Sequence, residues 1–167
     1  MDEDSLPPEA VSLYKTALVK PLLRIEESVA SIHGREWVLN HLPHRPPFVF
    51  IDSVQAIKDG VICARFDVDQ HGTLFAAHFP GAPRWPGAVQ LEAMAQAALT
   101  VYLFASGERR SEVSAAVVRE ARFMREVRPG SPVQLLGAYF EDGLFVTLVG
   151  QTLQSGRVCS ACMISVV

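Results

Sequence analysis

The chain has 167 residues, 49% of them hydrophobic and 20% charged, with a formal net charge of −3. That length favours one domain, the composition is that of an ordinary folded chain, and the acidic balance argues against nucleic-acid binding through the protein's overall field. There is no apolar run of the roughly 18 residues needed to span a bilayer, and the opening MDEDSLPPEA lacks the basic-then-apolar order of a secretory signal, so a cytoplasmic protein without a membrane span is expected.

In chain order, Val11, Leu13, Tyr14, Leu18, Leu22, Leu23 and Ile25 recur at roughly helical spacing, which predicts a helix from Pro8 to about Ala30, divided at Pro21. Gly34 is a break, and a short helix from Glu36 to Leu42 ends at Pro43, Pro46 and Pro47. Residues 1–35 therefore read as a helical extension on a single domain spanning 36–167. Phe48-Val49-Phe50-Ile51 has strand chemistry, and Lys58-Asp59-Gly60 supplies a hairpin turn before a strand from Val61 to Val68. Asp69 to about Trp85 reads as an irregular loop holding His71, His78 and the bend Pro80-Gly81-Ala82-Pro83.

Pro86, suited to a first helical turn by its fixed φ and missing N–H, opens a helix from Gly87 to about Ala105. This helix is apolar nearly all round, which predicts burial on every side. Glu92 and Gln96 interrupt it on one face, four residues apart. Four strands follow, Ser114–Arg125, Val133–Phe140, Leu144–Leu153 and Arg157–Val167, separated by Pro-Gly-Ser, Glu-Asp-Gly and Gln-Ser-Gly turns. Hairpin spacing demands antiparallel pairing, so the expected class is α+β, a sheet wrapped round one long helix. Cys159 and Cys162 make a C-x-x-C within a strand, where residues three apart face opposite ways. They are expected to be ordinary buried cysteines, with no metal site and no cofactor.

Glu92 is the sharpest anomaly, because a carboxylate on a buried helix is costly to desolvate. It is either hydrogen-bonded to a partner or kept protonated by apolar surroundings, and the second state would make it a general acid. Histidine suits the complementary base. His78 is one candidate, but residue types alone leave His41, His44 and His71 equally available. Gly87 lies in the first helical turn, where free N–H groups and the helix dipole favour a carbonyl oxygen gaining negative charge, although a glycine there also permits close packing.

The segments Leu42-Pro43-His44-Arg45-Pro46-Pro47-Phe48, His78-Phe79-Pro80-Gly81, Pro86-Gly87 and Leu91-Glu92-Ala93-Met94-Ala95-Gln96-Ala97, with Glu120-Ala121-Arg122-Phe123 and Val127-Arg128-Pro129-Gly130, appear in one order. Together they resemble the β-hydroxyacyl-acyl carrier protein dehydratases of fatty acid synthesis. The resemblance implies a hot-dog fold and dimers, often assembled into hexamers as trimers of dimers, with each site formed across the dimer interface. It implies that His78 takes the C2 proton, that protonated Glu92 gives its proton to the departing 3-hydroxyl, and that the Gly87 N–H holds the thioester carbonyl. The activity implied is conversion of a (3R)-3-hydroxyacyl thioester on an acyl carrier protein to the trans-2-enoyl thioester. Glu rather than Asp at position 92 is similar to the branch that does not isomerise the double bond.

The same resemblance sets Phe79, Arg84, Trp85 and Gln96 along the acyl tunnel. Ala77 replaces the family's usual Gly, and Arg84-Trp85 replace a usual apolar pair, departures that favour a specialised polyketide or polyene pathway over a housekeeping role. Arg109, Arg110, Arg119, Arg122, Arg125 and Arg128 lie within twenty residues, diluted by Glu112, Glu120 and Glu126. They form either a solvated mixed-charge face or a docking patch for an acidic partner or a phosphate; under the resemblance the partner is an acidic carrier protein, with Arg119, Arg122, Arg125 and Arg128 the candidates. A hydratase or thioesterase acting on acyl-coenzyme A is the alternative enzyme, since one fold hosts several thioester chemistries. A non-catalytic acyl-binding module is the alternative of another class.

Overall fold

The computed structural model describes residues 6–107 and 113–167. Its helices are α1 (Pro8–Ala17), α2 (Arg35–His41), α3 (Gly72–Ala77) and α4 (Gly87–Ser106), and its strands are β1 (Ser53–Lys58), β2 (Val61–Phe66), β3 (Ala115–Phe123), β4 (Val133–Asp142), β5 (Phe145–Gln154) and β6 (Arg157–Val166). The strands form one antiparallel sheet in the order β1-β2-β4-β5-β6-β3. The sheet wraps α4, which packs on β2, β4, β5 and β6.

Alternation along β4 and β5 sends one set of side chains to the helix and the other to the opposite face. Leu135 and Leu148 join the core around α4, while Leu136 and Val149 join clusters on the far side. Where α4 presses closest, the sheet carries no side chains. Gly137 and Gly150 are cross-strand partners, and a Cβ on Gly137 would lie 2.3 Å from the backbone nitrogen of Ala98. The helix is long and apolar enough to cross a membrane by composition, yet 61% of its most apolar window is buried inside the protein. It is the core helix.

The expected helix from Pro8 to Ala30 stops at Ala17, and the rest is an extended strap. Glutamines on the sheet's outer face take over its backbone partners. Gln151 donates to the carbonyl of Lys20 and accepts from the N–H of Leu22, Gln134 donates to the Ile25 carbonyl, and Gln55 donates to that of Val29. Residues 48–51 are likewise not a strand. Val49, Phe50 and Ile51 are buried, and Gln96 of α4 accepts from Phe50 N–H and donates to the Phe48 carbonyl, so the segment meets its hydrogen-bonding needs without a ladder. The strand expected to reach Val68 ends at Phe66, and the stretch from there to Trp85 contains a 3₁₀ turn (Val68–His71) and α3.

Cys159 and Cys162 do not face opposite ways. Cys159 is an extra residue in β6, where Thr152 pairs with Ser160 but Leu153 pairs with Val158. That bulge resets the alternation and puts both thiols in the α4 core, where each is free.

Candidate active site

His78 follows α3 and precedes a tight turn. Phe79 has φ 61° and Gly81 has φ 86°, and the Ala82 N–H donates to the Phe79 carbonyl at 2.9 Å. The turn brings the Arg84 carbonyl back to the imidazole, 2.9 Å from Nδ1. A carbonyl can only accept, so Nδ1 carries the proton and Nε2 is left with its lone pair, the form a base needs. The Arg84 guanidinium pairs with Glu126 and sits 4.7 Å above the Phe79 ring, closing the turn from outside.

His78 lines a cavity of about 270 Å³ with Arg84, Trp85, Gly87, Gln90 and Phe123. Gly87 is the first residue of α4, with Pro86 as its cap. The N–H groups of Val89 and Gln90 donate to the Pro86 carbonyl, whereas those of Gly87 and Ala88 precede the first intrahelical acceptor and are directed out of the helix end. A Cβ on Gly87 would lie 3.3 Å from the Phe123 ring, so a glycine at this position lets β3 approach the helix start.

Glu92 lines a different cavity. That space, about 160 Å³, is walled by α4, β3, β5 and β6 and is apolar apart from His44, Glu92 and Gln96. It shares no lining residue with the cavity of His78. The single chain therefore does not bring His78 and Glu92 together. Glu92 is not sealed in apolar surroundings either, since its side chain is 29% exposed. Its Oε1 accepts from Gln96 Nε2 at 2.8 Å and lies 3.3 Å from His44 Nε2. The His44 hydrogen bond holds the Glu92 carboxyl below the usual carboxylate range, with Gln96 acting the same way and burial opposing both. Of the two states open on sequence grounds, the isolated chain adopts the hydrogen-bonded one.

The other histidines are occupied elsewhere. His71 stacks on Phe66 and reaches toward Asp52, His41 bonds the Trp37 carbonyl, and His33 stacks on Trp37. His44 is the residue that sequence reasoning leaves undistinguished, although it stands in the first resembling motif and a hydrogen-bonding partner is one of the two states open to Glu92. Gln90 was also passed over. It donates to the Trp85 carbonyl and accepts from Ser160, tying the start of α4 to β6.

The expected tunnel residues separate. Gln96 lies at the Glu92 cavity, while Arg84 and Trp85 lie at that of His78. Trp85 is only 2% exposed and stacks 4.7 Å from Phe66, which makes it part of the core. Phe79 is half exposed beneath Arg84. Among the arginines, Arg122 bonds Glu120, Arg128 bonds Glu126, Arg125 donates to the Val158 carbonyl and Arg119 to Ser165. Arg109, Arg110 and Glu112 lie outside the described residues.

A six-stranded antiparallel sheet wrapped on one central helix is the hot-dog fold. Solved structures sharing it include the dehydratase heterocomplex ApeI:P of Xenorhabdus doucetiae, with a TM-score of 0.65 and 22% identity over 77% of this chain and 88% of that one. A thioesterase-like phenylacetic acid degradation-related protein of Ralstonia eutropha matches at a TM-score of 0.53 and 13% identity, over 68% and 81%. Residues 42–139 match the FabA-like domain model, and the chain belongs to that family. Among its relatives, the 3-hydroxyacyl-[acyl-carrier-protein] dehydratase FabZ of Haemophilus ducreyi is 33% identical over 129 residues, 74% of this chain and 84% of the relative. That of Thiobacillus denitrificans is 39% identical over 104 residues, 60% and 72%.

Proposed function

We propose that this protein is a hydro-lyase that removes water from a (3R)-3-hydroxyacyl thioester carried on an acyl carrier protein, leaving the trans-2-enoyl thioester. The observation that carries this reading is His78, with Nδ1 committed to a backbone carbonyl and Nε2 free in a cavity at the start of α4. His78 Nε2 takes the C2 proton. The Gly87 N–H stabilises the thioester oxygen as enolate character builds. Glu92 of the partner subunit delivers a proton to the C3 hydroxyl, so that the C–O bond breaks to water rather than hydroxide.

The separation of the two half-sites supports a homodimer. β3 is an edge strand, with its Val118 and Phe123, and Met124 just after it, substantially exposed beside the cavities, and such an edge invites a second strand. Covering the Glu92 cavity would strengthen desolvation, the influence that already acts to raise its pKa, and would favour the protonated acid. A trimer of such dimers is the larger assembly in keeping with this reading. Arg122 is the most solvent-exposed of the β3 arginines available to an acidic carrier protein. Residues 36–167 form the dehydratase domain, and the preceding strap covers its sheet. Three free buried thiols suit the reducing cytoplasm.

Glu92→Gln keeps the shape and removes the acid. In a folded variant, turnover of a carrier-bound 3-hydroxyacyl thioester should fall by about 10²–10⁴-fold, with no free thiol released by the unaltered protein. Near-normal dehydration by Glu92→Gln would sink the assignment, and thiol release would replace dehydration with hydrolysis.

A further inference from the structure

The Glu92 carboxyl has two oxygens, and its hydrogen bonds within this chain converge on one. Gln96 Nε2 and His44 Nε2 both approach Oε1, at 2.8 and 3.3 Å. His44 Nδ1 is buried and finds no hydrogen-bond partner among the described residues. A bare lone pair there is tolerable, but a buried N–H without an acceptor is costly, so the tautomer that fits places the single ring proton on Nε2, aimed at Glu92.

From this geometry we infer that His44 is a positioning residue for Glu92, which with Gln96 holds Oε1 as the acceptor and reserves Oε2 for the reacting hydroxyl. The inference rests on the dehydratase reading of the site.

The arrangement is isolated from other charge. The walls contributed by β3, β5 and β6, including Val118, Leu148, Ile164 and Val166, are apolar. The neighbouring Arg45 directs its guanidinium at the carbonyls of Leu42 and His44. His44 and Glu92 are the titratable groups facing this cavity among the described residues. In the step itself the proton on Oε2 passes to the C3 oxygen as the C3–O bond breaks, and the resulting carboxylate still receives the N–H groups of His44 and Gln96 on Oε1. No proton leaves His44. A neutral acid whose carbonyl oxygen already accepts two bonds changes little in geometry when it ionises, which is the preorganisation such a donor needs.

Three proteins test this: the unaltered chain, His44→Phe, which has no donor, and His44→Gln, whose amide nitrogen can take the place of Nε2. With carbon-13-labelled glutamate, the Glu92 carboxyl titration should move to higher pH in His44→Phe, since a bond that favours the carboxylate is gone, and should return toward the normal midpoint in His44→Gln. On the carrier-bound substrate, kcat should fall about tenfold in His44→Phe, with KM nearly unchanged, and recover in His44→Gln. Nitrogen-15 spectra of the unaltered protein should show His44 protonated on Nε2, which decides the matter even if His44→Phe does not fold.

An unmoved Glu92 midpoint, a glutamine variant no better than phenylalanine, or a ring proton on Nδ1 would overturn the inference. If Glu92→Gln is inactive while His44→Phe turns over normally, this inference alone fails. If the unaltered protein leaves the 3-hydroxyacyl thioester intact, the dehydratase reading fails, and the role given to His44 in it fails too.

Discussion

Gln96 links the fold to the chemistry, and replacing it with methionine tests that link. Its side chain accepts from Phe50 N–H at 2.9 Å and donates to the Phe48 carbonyl at 3.1 Å and to Glu92 at 2.8 Å. Methionine fills similar volume without polar atoms, so the change removes hydrogen bonds and leaves little cavity. Phe50 N–H is buried and loses its acceptor, at a cost of about 1–3 kcal/mol. The Phe48 carbonyl lies beside an exposed ring that water reaches, and its loss adds about 1 kcal/mol. Together these predict a destabilisation of about 3 kcal/mol, or roughly 6–12 °C in melting temperature for a domain of this size. Urea unfolding of both proteins at one fixed concentration, so that subunit association is held constant, measures it. The slope m should not change, because the loss is local. A destabilisation below about 1 kcal/mol would mean that segment 48–51 is held by its buried side chains and not by Gln96, and the account of why it is not a strand would fail.

Two further outcomes follow from the interior. Burial pushes the Cys63 and Cys162 thiols up to about 12 and raises that of Cys159, so at pH 8 none should react with a thiol reagent until the protein unfolds, when all three react at once; rapid labelling of the native protein would contradict the buried placement. Gly137→Val should prevent stable folding, or cost at least about 3 kcal/mol by denaturant titration, since even its Cβ would fall on the Ala98 backbone. Tolerance of valine would require α4 to sit farther from β4.

Much of the fold was legible because its cues are local and mutually consistent. Pro86 before an apolar run marks the start of α4 to the residue, and the Gly-containing turns mark β4, β5 and β6 to within two residues. What escaped were segments whose hydrogen bonds go to side chains from far along the chain. Residues 18–30 fall within the expected helix but follow the sheet, because Gln55, Gln134 and Gln151 present donors and acceptors at the strap's own intervals. The strap's own residues do not encode that exchange. The bulge at Cys159 escaped for a related reason, since alternation is a property of paired strands and the pairing slips there.

The site divides along the same line. Glu92 announced itself by the cost of a carboxylate on an apolar helix, but its environment did not, because the groups that relieve the cost arrive from position 44 and from the same helix face. His78 could be chosen over the other histidines on sequence only by resemblance, whereas the structure supplies a physical criterion. One ring nitrogen is tied to the Arg84 carbonyl, and the ring borders the cavity at the start of α4. These two residues belong to separate cavities in one chain. The start of α4 lines both cavities, with Gly87 and Gln90 at that of His78 and Ala88, Leu91 and Glu92 at the other. If the pair acts together, the unit of function is the dimer, and mixing inactive His78→Ala and Glu92→Gln subunits should restore activity in the mixed dimers, which hold one intact site each.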